Sequence, residues 1–170
     1  LAAPRPDLLS SGRQAEVGEE ALTMSLHQPI VLREGQHQPA DLEQLRTANH
    51  IYETRDVFAL QLRELFEIRH PDLAKDAAYA TACDAFVSDA VSGQGTTLRG
   101  TWVYFPWSGV LAHMLGEAEY FALRTNRNQY LVTREEQKQL RDACTGFIGL
   151  SVGSNIASAL VYAGIGSHMK

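Results

Sequence analysis

The stretch that decides the fold is Gly146-Phe-Ile-Gly149-Leu-Ser-Val-Gly153-Ser-Asn-Ile-Ala-Ser-Ala-Leu-Val-Tyr-Ala-Gly164-Ile-Gly166. Cys144 to Leu150 is apolar enough to be a buried strand. The glycines that follow let the backbone turn sharply and approach a ligand closely. Ser154 to Ala163 is uncharged and rich in small residues, and reads as a helix with Ser154 at its N-cap. The first turn of such a helix offers free amides and a partial positive charge, which suit a phosphate. The candidate contacts for a nucleotide are therefore Gly149, Leu150, Ser151, Val152, Gly153 and Ser154.

A strand, a glycine loop and a helix in that order are the opening unit of a Rossmann-like parallel sheet, so an α/β fold is expected. The strict G-x-G-x-x-G is absent, because the loop reads G-L-S-V-G-S. The acidic residue that reads a ribose about 20 positions later would fall beyond Lys170. Taken alone, these residues leave open an ATP site, an NAD(P)- or FAD-binding oxidoreductase domain, and a tight turn in a non-catalytic nucleotide-binding or dimerisation module.

Upstream, Thr133-Arg-Glu-Glu136 is a capping box that opens a helix through Leu140, and Glu117 to Leu123 forms a short helix. Thr101-Trp-Val-Tyr-Phe105 and Val110-Leu-Ala-His-Met-Leu115 flank the turn Pro106-Trp-Ser-Gly109, which predicts a β-hairpin. Before it, apolar residues recur at mostly helical steps from Leu42 to Ile68. They predict one long helix capped by Asp41 and answered by Gln44, with a possible interruption near Thr54. A second helix, Tyr79 to Val91, completes a helical hairpin ending at Ser92-Gly93. The expected organisation is an extended or poorly structured region over 1–40 and a helical region over 41–100. The hairpin with its lead-in helices then fills 101–143, and the start of the nucleotide-binding unit fills 144–170. Pro29-Ile-Val-Leu32 is a short strand or extended arm within the first region.

Fifteen basic residues against twenty acidic ones give a net charge of -5, with no Lys/Arg cluster to follow a phosphate backbone, which argues against nucleic acid. No window approaches the roughly 18 apolar residues of a membrane span, so no membrane partner is expected and the cytoplasm is the expected compartment. Cys83 and Cys144, in apolar surroundings, read as reduced core thiols. No spaced His/Cys/Asp/Glu set suggests a metal site. The aromatic hairpin residues Trp102, Tyr104, Phe105 and Trp107 read as core or contact residues, and His113 as a satisfied buried imidazole. The chain begins at Leu1 and stops at Lys170, where a further strand is due, and so reads as a piece of something longer.

Leu123-Arg-Thr-Asn-Arg127-Asn-Gln-Tyr130, then Glu136-Gln137-Lys-Gln-Leu140, then the strand, resemble the lead-in of the ThiF/MoeB/HesA superfamily, relatives of ubiquitin-activating enzymes. There an R-Y-x-R-Q element, a G-Q-x-x-L helix and a strand lead into G-x-G-G-x-G-S and a helix ending A-G-V-G. Arg124 and Arg127 match the two arginines, Gln137 and Leu140 the helix, and Gly153-Ser154 through Ala163-Gly-Ile-Gly166 the end. The loop is one residue shorter than the family pattern, with Ser151 where glycine is usual, and no Gln follows Arg127. Over residues 51–170 the chain looks more specifically like large bacterial ThiF-like proteins in which such a module can be joined to a nitroreductase-like one.

The resemblance implies an ATP-dependent adenylyltransferase that activates a carboxylate, on a protein or a small molecule, as an acyl-adenylate. It implies a homodimer in which Arg127 reaches into the partner's ATP site as a catalytic residue, and it leaves Arg124 structural. The family's ribose and Mg²⁺ aspartates, its zinc-binding cysteines and its acceptor cysteine would follow Lys170, so the segment alone is expected to be inactive.

Overall fold

The computed structural model describes residues 28–92, 98–149 and 151–170. Within them lie a four-stranded mixed sheet, six α-helices and a separate two-stranded parallel pair, which makes the chain a mixed α/β protein.

The central hairpin forms about the Pro106-Trp-Ser-Gly109 turn as expected, with β3 (Thr101–Phe105) antiparallel to β4 (Val110–Met114). Cross-strand pairs Trp102–His113 and Tyr104–Leu111 share one face, because side chains alternate along each strand. Helix α1 (Pro39–Ala48) covers that face. Its Leu42 and Leu45 form a core with Trp102, Tyr104 and Leu111, and Ile30, Leu32 and Ile51 pack at the margin. Strand β1 (Ile30–Leu32) runs antiparallel to β3, so the Pro29-Ile-Val-Leu32 run is a strand in the main sheet.

The long helix expected from Leu42 to Ile68 is two helices, α1 and α2 (Phe58–Arg69), parted by β2 (Glu53–Asp56), which pairs in parallel with β4. The sheet order is β1-β3-β4-β2. The break has local and tertiary causes. Asp56 Oδ1 accepts from the Phe58 amide at 3.1 Å and so starts α2 afresh. The amides of Tyr52 and Val57 bond to the carbonyls of Gly109 and His113, at 2.7 and 3.0 Å, pulling the intervening backbone onto the sheet. All four β2 residues are exposed, and three are charged, as befits an edge strand. The start of α1 is also displaced. Gln38 is its N-cap, and Asp41 sits three positions into the helix with its carboxylate accepting from the Gln38 amide at 2.6 Å.

Helix α2 packs against α3 (Tyr79–Val91) and against α4 (Glu117–Thr125). Phe58, Leu62, Leu65, Val87, Ala90 and Leu115 form the second core. Gly100 is obligatory at this junction. Its φ is +73°, and a Cβ there would meet the Met114 carbonyl and the Phe58 ring. Residues 93–97, which include Gly93 of the expected Ser92-Gly93 helix end, lie outside the described residues. No helix among the described residues is long and apolar enough to cross a membrane.

Candidate functional site

The C-terminal unit runs from α4 through a 3-10 turn (Asn126–Tyr130) and α5 (Arg134–Asp142) to β5 (Cys144–Thr145), α6 (Ser151–Tyr162) and β6 (His168–Met169). The capping box forms as read. Thr133 Oγ1 accepts from the Glu136 amide at 3.2 Å, and the Thr133 amide donates to Glu136 Oε2 at 2.7 Å. That amide, followed by the Thr133 hydroxyl, holds the Glu136 carboxyl below the ordinary glutamate range.

Helix α5 presents one buried polar side chain, Gln137, to the end of α6. Its Nε2 donates to the carbonyls of Ala163 and Gly164 at 3.2 and 3.1 Å. Asn128 Nδ2 donates to Gln137 Oε1 at 2.7 Å and to the Ala163 carbonyl at 2.9 Å. The helix end itself is a Schellman cap. Ile165 N donates to Leu160 O at 2.9 Å, Gly164 N donates to Val161 O at 3.1 Å, and Gly164 takes φ +71°. A Cβ on Gly164 would lie 2.5 Å from Thr125 Cγ2, so the position requires glycine for space as well as for conformation.

From this cap the chain enters β6, which lies parallel to β5 with Cys144 opposite His168 and Thr145 opposite Met169. Lys170 N donates to Thr145 O at 3.0 Å and Phe147 N to Lys170 O at 2.7 Å, which carries the ladder past the strand ends. The result is a β-α-β unit with α6 as the crossover. The strand expected after the helix is therefore present. The expected buried strand from Cys144 to Leu150 is not: β5 has two residues, Cys144 is exposed, and Ile148 is fully exposed. Cys144 is thus no core thiol, whereas Cys83 is buried as read. Among the described residues β5 pairs with β6 alone, in a sheet of two strands.

Gly149, between β5 and α6, has φ +82°, and an added Cβ would meet nothing within 4 Å among the described residues, which leaves room for a ligand to approach the backbone. Leu150 lies outside the described residues. Ser151, Val152 and Gly153 make up the first turn of α6, where amides lack helical partners. Ser154 is not the N-cap, because the helix starts three residues before it. Its Oγ donates to the Ser151 carbonyl at 2.9 Å, the local side-chain-to-backbone bond a serine makes inside a helix.

Arg127 is exposed in the 3-10 turn, and the neighbouring Asn128 ties that turn to the C-terminal end of α6. Twelve helical residues span about 18 Å. Arg127 and the glycine loop therefore sit at opposite ends of one helix, and the fold does not bring them together within the chain. Asn128 gave no sequence signal, since the amide that joins turn, α5 and α6 looks like any polar residue in a loop.

His113 is 1% exposed, stacked between Trp102 (4.1 Å between centroids) and Phe58 (4.7 Å). Its Nδ1 lies 3.1 Å from Asp56 Oδ1 and its Nε2 2.9 Å from the Arg99 carbonyl, so both ring nitrogens are engaged in the fold. Trp102 and Tyr104 are core, while Trp107 is exposed at the turn against the edge of Phe105. Among the described residues no group of three or more His, Cys, Asp or Glu side chains converges as a metal site would require.

No family profile and no solved structure matches the chain. It is similar to the uncharacterized protein MT1398 of Mycobacterium tuberculosis (strain CDC 1551 / Oshkosh), with 32% identity over 139 residues. That match takes in 79% of this chain and 16% of the relative, so the chain spans about one sixth of the relative's length.

Proposed function

We propose that this chain supplies the opening part of an ATP-dependent, ThiF-like adenylylating protein, and that β5, the Gly149 turn, α6 and β6 begin its Rossmann-like nucleotide-binding sheet. The observation that carries the reading is the parallel β-α-β unit with a left-handed, unobstructed glycine where the strand passes into the helix. An anion at that turn would be held by the amides of Ser151, Val152 and Gly153 and by the positive end of the α6 dipole. Gln137 and Ala163-Gly164, two of the elements that carry the resemblance, are in hydrogen-bond contact, which supports treating them as one structural unit. The Ser154 hydroxyl is committed to Ser151, so backbone amides are the phosphate contacts in this reading.

ATP is the substrate here, and the reaction is attack of a carboxylate on its α-phosphate with loss of pyrophosphate. Charge gathers on phosphate oxygens in such a step and is met by pre-placed amides and cations. Arg127 stands at the wrong end of α6 to serve its own loop, which favours a homodimer in which it serves the partner's. The Mg²⁺ ligands would come from elsewhere in the longer protein.

The test is calorimetric titration of the full-length protein with ATP and NAD(H) separately. ATP is expected to bind more tightly, and tighter NAD(H) binding rejects the reading. Arg127→Ala is expected to lower ATP turnover without loss of fold or dimer. Unchanged turnover removes the cross-protomer role.

A further inference from the structure

A cleft of about 300 Å³ opens where α4, α5 and the turn from α6 to β6 meet, with Phe121, Arg124, Arg141, Ile165 and Gly166 among its walls. Two guanidiniums border the Phe121 ring. That of Arg141 lies 4.6 Å from the ring centroid and that of Arg124 5.6 Å, with Tyr120 5.7 Å from the latter. Arg141 has an acceptor in Glu117 Oε1 at 2.6 Å. Arg124 differs, because its Nε is buried and has no hydrogen-bond partner among the described residues. Two cations against one carboxylate also leave one positive charge in the cleft unbalanced.

We propose that this cleft binds a small carboxylic acid with an apolar body. Its carboxylate accepts from Arg124, and its body lies against Phe121 and Ile165. The two terminal nitrogens of the guanidinium are spaced for the two oxygens of a carboxylate, and the aromatic ring beside them prefers an apolar flank. One unbalanced positive charge matches a monoanion better than doubly charged phosphate. The volume is at the small end for ligand sites. The cleft lies at the end of α6 remote from Gly149, so it stands independently of the nucleotide reading.

Titration of the 170-residue chain with benzoate, followed by amide NMR shifts at Phe121 and Gly166, tests this. Saturable binding with a Kd of about 1 mM or tighter is expected. Neutral benzamide and inorganic phosphate should each bind at least about tenfold more weakly. Arg124→Gln should weaken benzoate by about tenfold or more. Arg124→Lys keeps the charge without the fork and serves as the second variant should the first lose its helical circular dichroism. It too should lose about tenfold. Absence of saturation, phosphate binding as tight as benzoate, or undiminished affinity in a folded Arg124 variant overturns the proposal.

Discussion

Helices α2 and α6 are both twelve residues long and both carry apolar runs, yet α2 buries Phe58, Leu62, Leu65 and Phe66 while α6 buries none of its residues. Val152, Ile156, Val161 and Tyr162 of α6 are between 44% and 73% exposed. The difference lies in what each helix has to lie on. α2 is enclosed by α3, α4 and the end of β4, and its apolar face closes a core. α6 crosses over a pair of two-residue strands, which offers too little surface to cover a helix face. Its fixed point is its C-terminal end, held by the Gln137–Asn128 clasp and the Schellman cap. Helical apolarity thus yields stability only where a neighbouring layer is wide enough to receive it.

The largest expected contrast is between buried and exposed truncations. Leu65→Ala, at a position with no exposure, should lower stability by about 3 kcal/mol in urea unfolding. Ile156→Ala on α6 should stay within about 0.5 kcal/mol. Comparable losses at the two sites would break the comparison by showing that α6 is covered in solution.

A smaller contrast separates the two ends of α6. Gly164→Ala combines a positive φ with a clash at Thr125 and should cost about 2 kcal/mol, read as faster amide exchange through α6. Gly149→Ala meets only the conformational penalty, about 1 kcal/mol. Equal effects would mean that the cap is no firmer than the loop.

The smallest effect is the pH response of the α5 cap. The Glu136 carboxyl is lowered by the Thr133 amide and hydroxyl, so its contribution is fully present above the ordinary glutamate value of 4.5. It is lost as the pH falls through the lowered folded value. Exchange of the first-turn amides of α5 should quicken over that acid range, and Glu136→Gln should flatten the response.

Several features were legible in the sequence because short-range physics sets them. Thr133 and Glu136 are three apart and cap α5, the Pro106-Trp-Ser-Gly109 turn between two strand-forming runs makes the hairpin, and Gly164 ends α6 with a positive φ, which favours glycine. The strand-loop-helix order around Gly149 was legible for the same reason. What only the tertiary structure decided is where those pieces find partners. The sheet edge at β4 drew 53–56 out of a helical pattern, since its unpaired backbone groups bond an extended segment. The start of α6 moved three residues upstream and took Ser154 inside the helix. Cys144, apolar in context, came to the surface in a two-residue strand that, among the described residues, pairs with β6 alone. The meeting of Gln137 with Gly164, and of Arg141 with Phe121, depends on the packing of α4, α5 and α6. Contacts between side chains remote in sequence follow from that packing, which no local pattern encodes.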